Sequence, residues 1–450
     1  MQSEINLQEF LTGRALLGAE IPVKKELLEE AVRKGIVVKI DGLVNSRCMR
    51  CGNEDSHFLG EYPCYLCMKN CQYCRKCIEM GRISSCSKLY IWAGEPVKWT
   101  PSHCRWSGRL SQQQEEASKK MIEALQKGVD LLIWAVAGAG KTEMIFGGIE
   151  WALKQGKRIA VACPRTDVIL ELEPRLKAAF PETRIATLYG ASEEKHVCAQ
   201  LILSTTHQLF RFKNAFDLLV IDEVDAFPYS MDAELQLAAK EAAKLDATTV
   251  YLTATPTREW QDEFLSGKRN GVHIPARFHR HPNPVPAMKW IGDWKKTISK
   301  ERVPILLHEW LTEQKNPFLL FFPHIDLMNQ ALPLIQKITP NVLSVHAEDP
   351  ERKEKVQMLR NGQVQGLLTT TILERGITIK AVDVVVVGAE DKTFTEAALV
   401  QIAGRVGRSP EKPNGEVLFL HHGKTDEMIR AIKQIVTNNQ IASERGLLDS

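Results

Sequence analysis

No apolar run in the chain approaches the roughly 18 residues that a membrane-crossing helix requires. The longest, around Leu131–Val136 and Val384–Val387, are the size of strands. The N-terminus lacks the basic stretch and apolar core of a secretory signal, so a cytoplasmic chain is expected. An excess of one charge is also missing: 58 Lys and Arg face 55 Asp and Glu, for a net +3. A polyanionic partner would therefore meet a local groove and not a general positive field. There are no short-period repeats and no low-complexity segments. With 44% apolar and 25% charged residues, the composition excludes the disordered and fibrous classes. Cysteine is scarce over most of the length. Only Cys104, Cys163 and Cys198 lie outside the span 48–86, and eight of the eleven lie within it. In a cytoplasmic chain, such a concentration points to metal before disulfide.

What is present has a clear rhythm. A length of 450 residues suits two or three domains. A short helix is predicted over Val23–Arg33 and an extended piece over Gly35–Ile40. From Leu131 onward, β-rich runs alternate with helical patterns: DLLIWA, RIAVAC, LILSTT, DLLVID and TVYLTAT, with a helix expected near Ala233–Leu245. The stretch IPARFHRHPNPVP (274–286) breaks the alternation, and its prolines predict an extended linker. The alternation resumes with PFLLFF, VLSVHA, GLLTTT, VDVVVV and EVLFLH. This is the pattern of two α/β domains with parallel sheets covered on both faces. The expected divisions are 1–45, of no assigned role; a cysteine-rich module, 46–105; a first α/β domain, 106–278; and a second, 279–450.

Residues 135–142 read AVAGAGKT, after an apolar strand and before an amphipathic run. The spacing is that of a P-loop with Ala135 in place of the first glycine. Gly138, Ala139 and Gly140 would turn backbone N–H groups toward phosphate oxygens. Lys141 would meet the β- and γ-phosphates of ATP, and the Thr142 hydroxyl would ligate Mg²⁺. Farther on, LLVIDEVD (218–225) ends an apolar strand in carboxylates, with Asp222 lying 81 positions after Lys141. Asp222 is the second candidate for Mg²⁺, and Glu223 the candidate that activates the attacking water. Gln114 is a candidate adenine reader, because an amide both donates and accepts. In QIAGRVGR (401–408), Arg405 and Arg408 suit the charge on a transferring phosphoryl group, with Gln401 beside them.

With these motifs in place, the chain resembles superfamily-2 helicases and translocases over roughly residues 110–420. GAGKT, PRTDV (164–168), TTHQL (205–209), DEVD (222–225), TAT (253–255), TTTILERG (369–376) and QIAGRVGR occur in family order. The resemblance implies two RecA-like domains with ATP bound between them and TAT coupling hydrolysis to closure. Nucleic acid would then cross both domains through PRTDV, TTHQL and TTTILERG. Arg165, Thr206, Gln208, Thr370 and Thr371 agree with that placement, being short donors or a guanidinium at strand ends, suited to gripping phosphates without reading bases. Glu374-Arg375-Gly376 would carry the link back to ATP.

The cysteines fall into CxxC pairs at 48/51, 64/67, 71/74 and 74/77. A structural Zn²⁺ takes four ligands tetrahedrally. CMRCG and YCRKC have the form of two knuckles, which favours Cys48, Cys51, Cys74 and Cys77. Cys64 and Cys67 are rivals, and a second, partial site with His57 stays open. Residues 45–90 carry seven Lys and Arg against four Asp and Glu, and a tetrathiolate zinc centre contributes about −2, so the module is no obvious electrostatic clamp.

A cysteine module ahead of the first motor domain narrows the resemblance. With IWAVAGAGKTE, CPRTDVILELEPRLK, IDEVDAFPYS, SVHAEDPERKEKV and TTTILERGIT, the chain is similar to the ComFA family, late-competence ATPases of Gram-positive bacteria. That similarity implies a cytoplasmic motor held peripherally at the inner face of the membrane, drawing single-stranded DNA through an uptake channel, with ComFC and DprA as partners. Two other readings are a replication-restart helicase like PriA and a nucleotide switch that assembles the uptake machinery. PriA places its zinc cysteines after the first motor domain, and a switch has no need of Lys141, Glu223 and Arg405 together. Oligomeric state stays open.

Overall fold

The computed structural model describes residues 6–376 and 379–449. DLLIWA becomes the strand Leu131–Ala135, all five residues of which are buried. A strand covered on both faces is apolar throughout, and Ile159–Cys163 and Leu201–Thr205 follow the same rule. They belong to a seven-stranded sheet in the order Ile185–Leu188, Leu201–Thr205, Ile159–Cys163, Phe216–Asp222, Ala243–Thr253, Leu131–Ala135, Gly271–Ile274. The first five of these run parallel, which requires crossover connections. Helices Thr166–Ala179 and Ala233–Ala242 supply two of them, short 3-10 turns at Glu194–His196 and Thr206–Arg211 lie in the other two, and Phe146–Lys154 leads from Leu131–Ala135 into Ile159–Cys163.

The second sheet has six strands, all parallel, in the order Ala287–Trp290, Val417–His421, Asp383–Val387, Phe318–Phe321, Gly366–Thr369, Val342–Val345. Its Asp383–Val387 and Phe318–Phe321 strands are buried end to end. The fold is therefore two RecA-like parallel-sheet domains in tandem behind a small cysteine module, as the alternation and the motifs predict. Packing divides the chain into two compact units. One holds the chain up to Ile133 with Thr142–Thr253 and Arg258–Val272; the other holds Trp134–Lys141, Ala254–Thr257 and the chain from His273 on.

Three local expectations change. The helix expected to reach Leu245 ends at Ala242, because Ala243 pairs with Phe216 and starts the next strand. Strands Ile185–Leu188, Gly271–Ile274 and Ala287–Trp290 went unpredicted, since pairing with neighbours makes them and no apolar run marks IATL, GVHI and AMKW. The proline-rich stretch does keep 281–286 out of regular structure, but it is no solvated tether. Ala276 and Arg277 are fully buried. Arg277 Nε donates to Asn283 Oδ1 at 2.8 Å and Nη1 to the Gly407 carbonyl at 2.8 Å. Burial, reinforced by the Arg408 charge, lowers the Arg277 guanidinium to about 9.

In front of the first sheet, Ala15–Leu17 and Val37–Asp41 both pair antiparallel with Lys88–Trp92. One three-stranded sheet thus joins the segment before the cysteines to the strand after them. The predicted helix appears as Lys25–Arg33, and with Phe10, Leu11, Leu16, Ile21 and Val37 it forms a local core. Each such side chain contributes about 2 kcal/mol by leaving water. Two buried arginines fix this piece to the first RecA-like domain. Arg14 lies between the Phe10 and Phe212 rings and donates to the carbonyls of Lys195 (3.0 Å) and Val197 (2.8 Å). Arg158 donates through Nη1 to the Thr12 carbonyl at 2.7 Å. Burial pulls Arg14 down to about 9, with the neighbouring Arg158 charge adding to it. Gly13, at φ 67, closes against Ala215, where a Cβ would come within 2.7 Å of that side chain.

Candidate functional site

The phosphate-loop motif leaves the end of the strand Leu131–Ala135. Gly138 (φ 83) and Gly140 (φ 74) adopt left-handed backbone that only glycine takes without strain. Between them the Ala139 N–H donates to the Val136 carbonyl at 3.2 Å, and the Gly138 carbonyl accepts the N–H of Phe278 at 3.0 Å. Lys141 and Thr142 open the helix Lys141–Met144, with Thr142 buried and Lys141 half-buried.

Asp222 closes the strand Phe216–Asp222, and its Oδ1 accepts the Glu223 N–H at 2.9 Å. Glu223 itself sits at φ 56, a conformation that costs a branchless glutamate of order 1 kcal/mol. Its Oε2 lies 3.9 Å from the Cys163 thiol, at the tip of the neighbouring strand. One residue pair joins two motifs: Thr253 Oγ1, in TAT, donates to Asp225 Oδ1, in DEVD, at 2.7 Å. In the other unit, Arg405 Nε donates to the Glu374 carbonyl at 2.7 Å, which brings QIAGRVGR onto TTTILERG. Glu374 Oε1 also accepts from Arg375 Nε at 3.3 Å. Gln401 and Arg405 are buried, and half-buried Arg408 donates through Nε to the Gly404 carbonyl at 3.0 Å.

The remaining sequence candidates take more local places. Gln114 is the third residue of a capping box: its Oε1 accepts the Ser111 N–H at 2.8 Å at the start of helix Gln112–Lys127. Arg165 forms a forked pair with Asp167, in the first turn of the helix that it caps. Thr206 is fully buried, and Gln208 Oε1 accepts from Arg211 Nε at 3.1 Å. His207 is the exposed member of that motif, while Thr370 and Thr371 are half-buried at the end of the strand Gly366–Thr369.

The eight cysteines of the module sort into two sets of four. Cys48, Cys51, Cys74 and Cys77 are buried with all sulfurs within 4.8 Å of one another. Cys48 and Cys77 are 3.7 Å apart, Cys51 and Cys74 3.5 Å. A tetrahedron with Zn–S of about 2.3 Å has edges of about 3.8 Å, so this donor set fits zinc. Hydrogen bonds from Cys51, then Cys74 and Cys77, hold the Cys48 thiol below its ordinary range. His57 takes no part; it is exposed beside Asp55. The CxxC frame that shares Cys74 resolves by strand geometry. Cys71 and Cys74 lie three apart on Lys69–Cys74 and so face opposite sides, Cys74 toward this set and Cys71 toward the other.

The module is joined to the first RecA-like domain at the turn that carries TTHQL. Phe210 packs against the core of the first cysteine set, and Gly52 of its first knuckle abuts Leu237. Glu20 accepts from both Arg50, between the knuckle cysteines, and Arg211. Sequence reasoning missed Glu20 and Arg211, since nothing local marks residues that meet across 191 positions. Glu20→Gln would leave two largely buried guanidiniums facing each other, and a loss of about 3 kcal/mol is expected. Urea unfolding of the two proteins measures it; equal midpoints would mean that the bridge holds nothing.

Residues 1–91 match the family described as the competence protein ComFA N-terminal domain. Residues 107–258 match the type III restriction enzyme res subunit, and 301–410 the helicase conserved C-terminal domain. The chain is 45% identical over 446 residues to competence protein ComFA of Bacillus subtilis, covering 97% of this chain and 96% of that one. Against competence protein ComFA of Streptococcus pneumoniae it is 38% identical over 400 residues, covering 88% and 90%. Among solved structures, S. cerevisiae Dbp5 bound to RNA and ADP BeF3 matches with a TM-score of 0.51 at 15% identity, over 73% of this chain and 92% of that one. Mycobacterium smegmatis helicase Lhr bound to ssDNA and AMP-PNP also gives 0.51, at 18% identity, over 74% and 50%. At these identities the two structures speak for the fold alone.

Proposed function

The chain belongs to the family of the competence protein ComFA, and from that membership we propose that it is the motor that draws single-stranded DNA inward during natural transformation. It is a helicase-like ATPase of competence; the translocation of single strands is the finer step proposed here. The observation that carries it is where the motifs lie. PRTDV, TTHQL, DEVD and TAT each leave the carboxyl end of a strand in one run of parallel neighbours. Ligands of such sheets gather beyond those ends.

In this reading Gly138, Ala139, Gly140 and Lys141 hold the phosphates of ATP, and Gln114 would read the adenine. Thr142 and Asp222 would hold Mg²⁺, which supplies positive charge against the phosphates. Glu223 orients and deprotonates the attacking water, and Gln401, Arg405 and Arg408 answer the charge that builds on the transferring group. The Asp225–Thr253 bond supports TAT as the part that senses the state of DEVD. Arg165, Thr206, Gln208, Thr370 and Thr371 mark the nucleic-acid path, with grip on phosphates and not on bases. Cys48, Cys51, Cys74 and Cys77 would hold a Zn²⁺ that fixes the module's fold.

Among the described residues no helix is long and apolar enough to cross a membrane. Attachment at the inner face of the membrane would then run through the uptake channel or partners such as ComFC and DprA. ATP turnover measured with single-stranded DNA, duplex DNA and RNA tests the proposal. Single strands are expected to raise the rate severalfold, and a rate indifferent to them would sink it. Affinity should fall with salt by about 0.7 log unit per log unit for each phosphate gripped.

A further inference from the structure

We propose that Cys64, Cys67, Cys71 and Cys86 form a second tetrathiolate zinc site, distinct from the one built by Cys48, Cys51, Cys74 and Cys77. Their four sulfurs also lie within 4.8 Å of one another. Two separate pieces of chain deliver them, one hairpin and one turn. Cys64 ends one strand of the hairpin Leu59–Cys64/Lys69–Cys74, Cys67 sits in its turn, and Cys71 lies on the returning strand, opposite Tyr62. Cys86 comes from the turn Ser84–Ser87, closed by the Ser87 N–H donating to the Ser84 carbonyl at 2.9 Å.

Both expected distances and surroundings suit a metal. Cys64 and Cys86 are 3.6 Å apart and Cys67 and Cys71 3.2 Å, close to the tetrahedral edge of about 3.8 Å and well beyond the roughly 2.05 Å of a disulfide. Thiolates on zinc are commonly steadied by donors behind them. Here the Tyr62 hydroxyl donates to Cys64 Sγ at 3.7 Å, and Ser84 Oγ lies 3.4 Å from Cys86 Sγ. Arg82 stacks on the Tyr62 ring at 4.0 Å, placing a cation beside the would-be anionic centre. Four thiolates in tetrahedral array select zinc over harder divalent ions.

The site sits at the turn end of the hairpin. The turn that it would clamp carries Tyr65, Leu66 and Met68, exposed by 90%, 93% and 83%. Without a cross-link, a two-stranded hairpin with an exposed apolar tip has little to hold it in one shape. A second centre also adds about −2 to the module, which turns the small positive balance of residues 45–90 slightly negative.

Metal analysis of the full-length protein, purified without chelator, decides the matter. Two zinc ions per chain are expected. Cys67→Ser and Cys86→Ser should each lower the count to one, and Cys48→Ser should remove the other ion. One zinc per chain in the unaltered protein would overturn the proposal, as would iron in place of the second zinc. An intact mass reduced by the hydrogens of two disulfides would overturn it as well. If a variant fails to fold, titration of the unaltered protein with a thiol reagent gives the same answer. Zinc should leave in two steps, and release of a single ion would refute the second site.

Discussion

Lys141→Ala is expected to abolish ATP turnover, lowering kcat by about a thousandfold. The lysine opens the helix directly after Gly140, and Gly138 and Gly140 both take left-handed backbone; in the proposed reading its ammonium meets the phosphates there. Charge stabilisation in a site shielded from water is worth several kcal/mol, and alanine supplies none of it. Glu223→Gln should stop hydrolysis too while leaving ATP binding intact, because the amide keeps the shape and loses the basicity. Glu223→Asn separates function from folding more sharply. The native residue stands at φ 56, which asparagine tolerates better than glutamate. The asparagine variant should therefore be inactive and more stable by about 0.5–1 kcal/mol. Steady-state hydrolysis, nucleotide binding and thermal unfolding read the three results. Full turnover in Lys141→Ala would remove the site.

The second large effect concerns metal. Cys74→Ser should cost the chain one zinc and the fold of the module around Leu43, Ile83 and Leu89, which pack on the first cysteine set. Structural zinc binding in small modules is worth about 10–16 kcal/mol, more than such a core supplies by itself. The damage should spread in one direction. Phe210 packs on that core and Arg211 on Glu20, so the turn Thr206–Arg211 loses its backing. Affinity for single-stranded DNA is expected to fall while ATP still binds at Lys141. Zinc content with paired nucleotide and DNA titrations measures this, and a Cys74→Ser protein with all its metal would mean the wrong ligands.

How much of this was readable beforehand follows from the kind of signal each residue carries. Strands such as Leu131–Ala135 and Asp383–Val387 were legible because burial on both faces writes itself as an unbroken apolar run. The short strands Ile185–Leu188 and Gly271–Ile274 were not, since pairing with neighbours and not local pattern makes them. Motif glycines and carboxylates stood out through spacing. Gln114 carries two signals at once: its place before the first strand suits an adenine reader, and the run Ser111 to Gln114 also spells a capping box, in which its Oε1 accepts the Ser111 N–H. Arg277 was hidden in a stretch that prolines mark as linker, yet it is fully buried. Cys86 escaped for the opposite reason. It has no CxxC partner of its own, and a hairpin is needed to carry Cys64, Cys67 and Cys71 to it.

The carboxylate shared by Arg50 and Arg211 has a consequence for descent. Three positions, scattered through a knuckle, an N-terminal turn and the first RecA-like domain, are bound to one another's identity. Any lineage that loses the acid at 20 leaves two like charges in a nearly dry space and must alter at least one arginine in step. Substitutions at these sites should therefore travel together across relatives, and the front module cannot drift, or be exchanged between relatives, independently of the domain behind it.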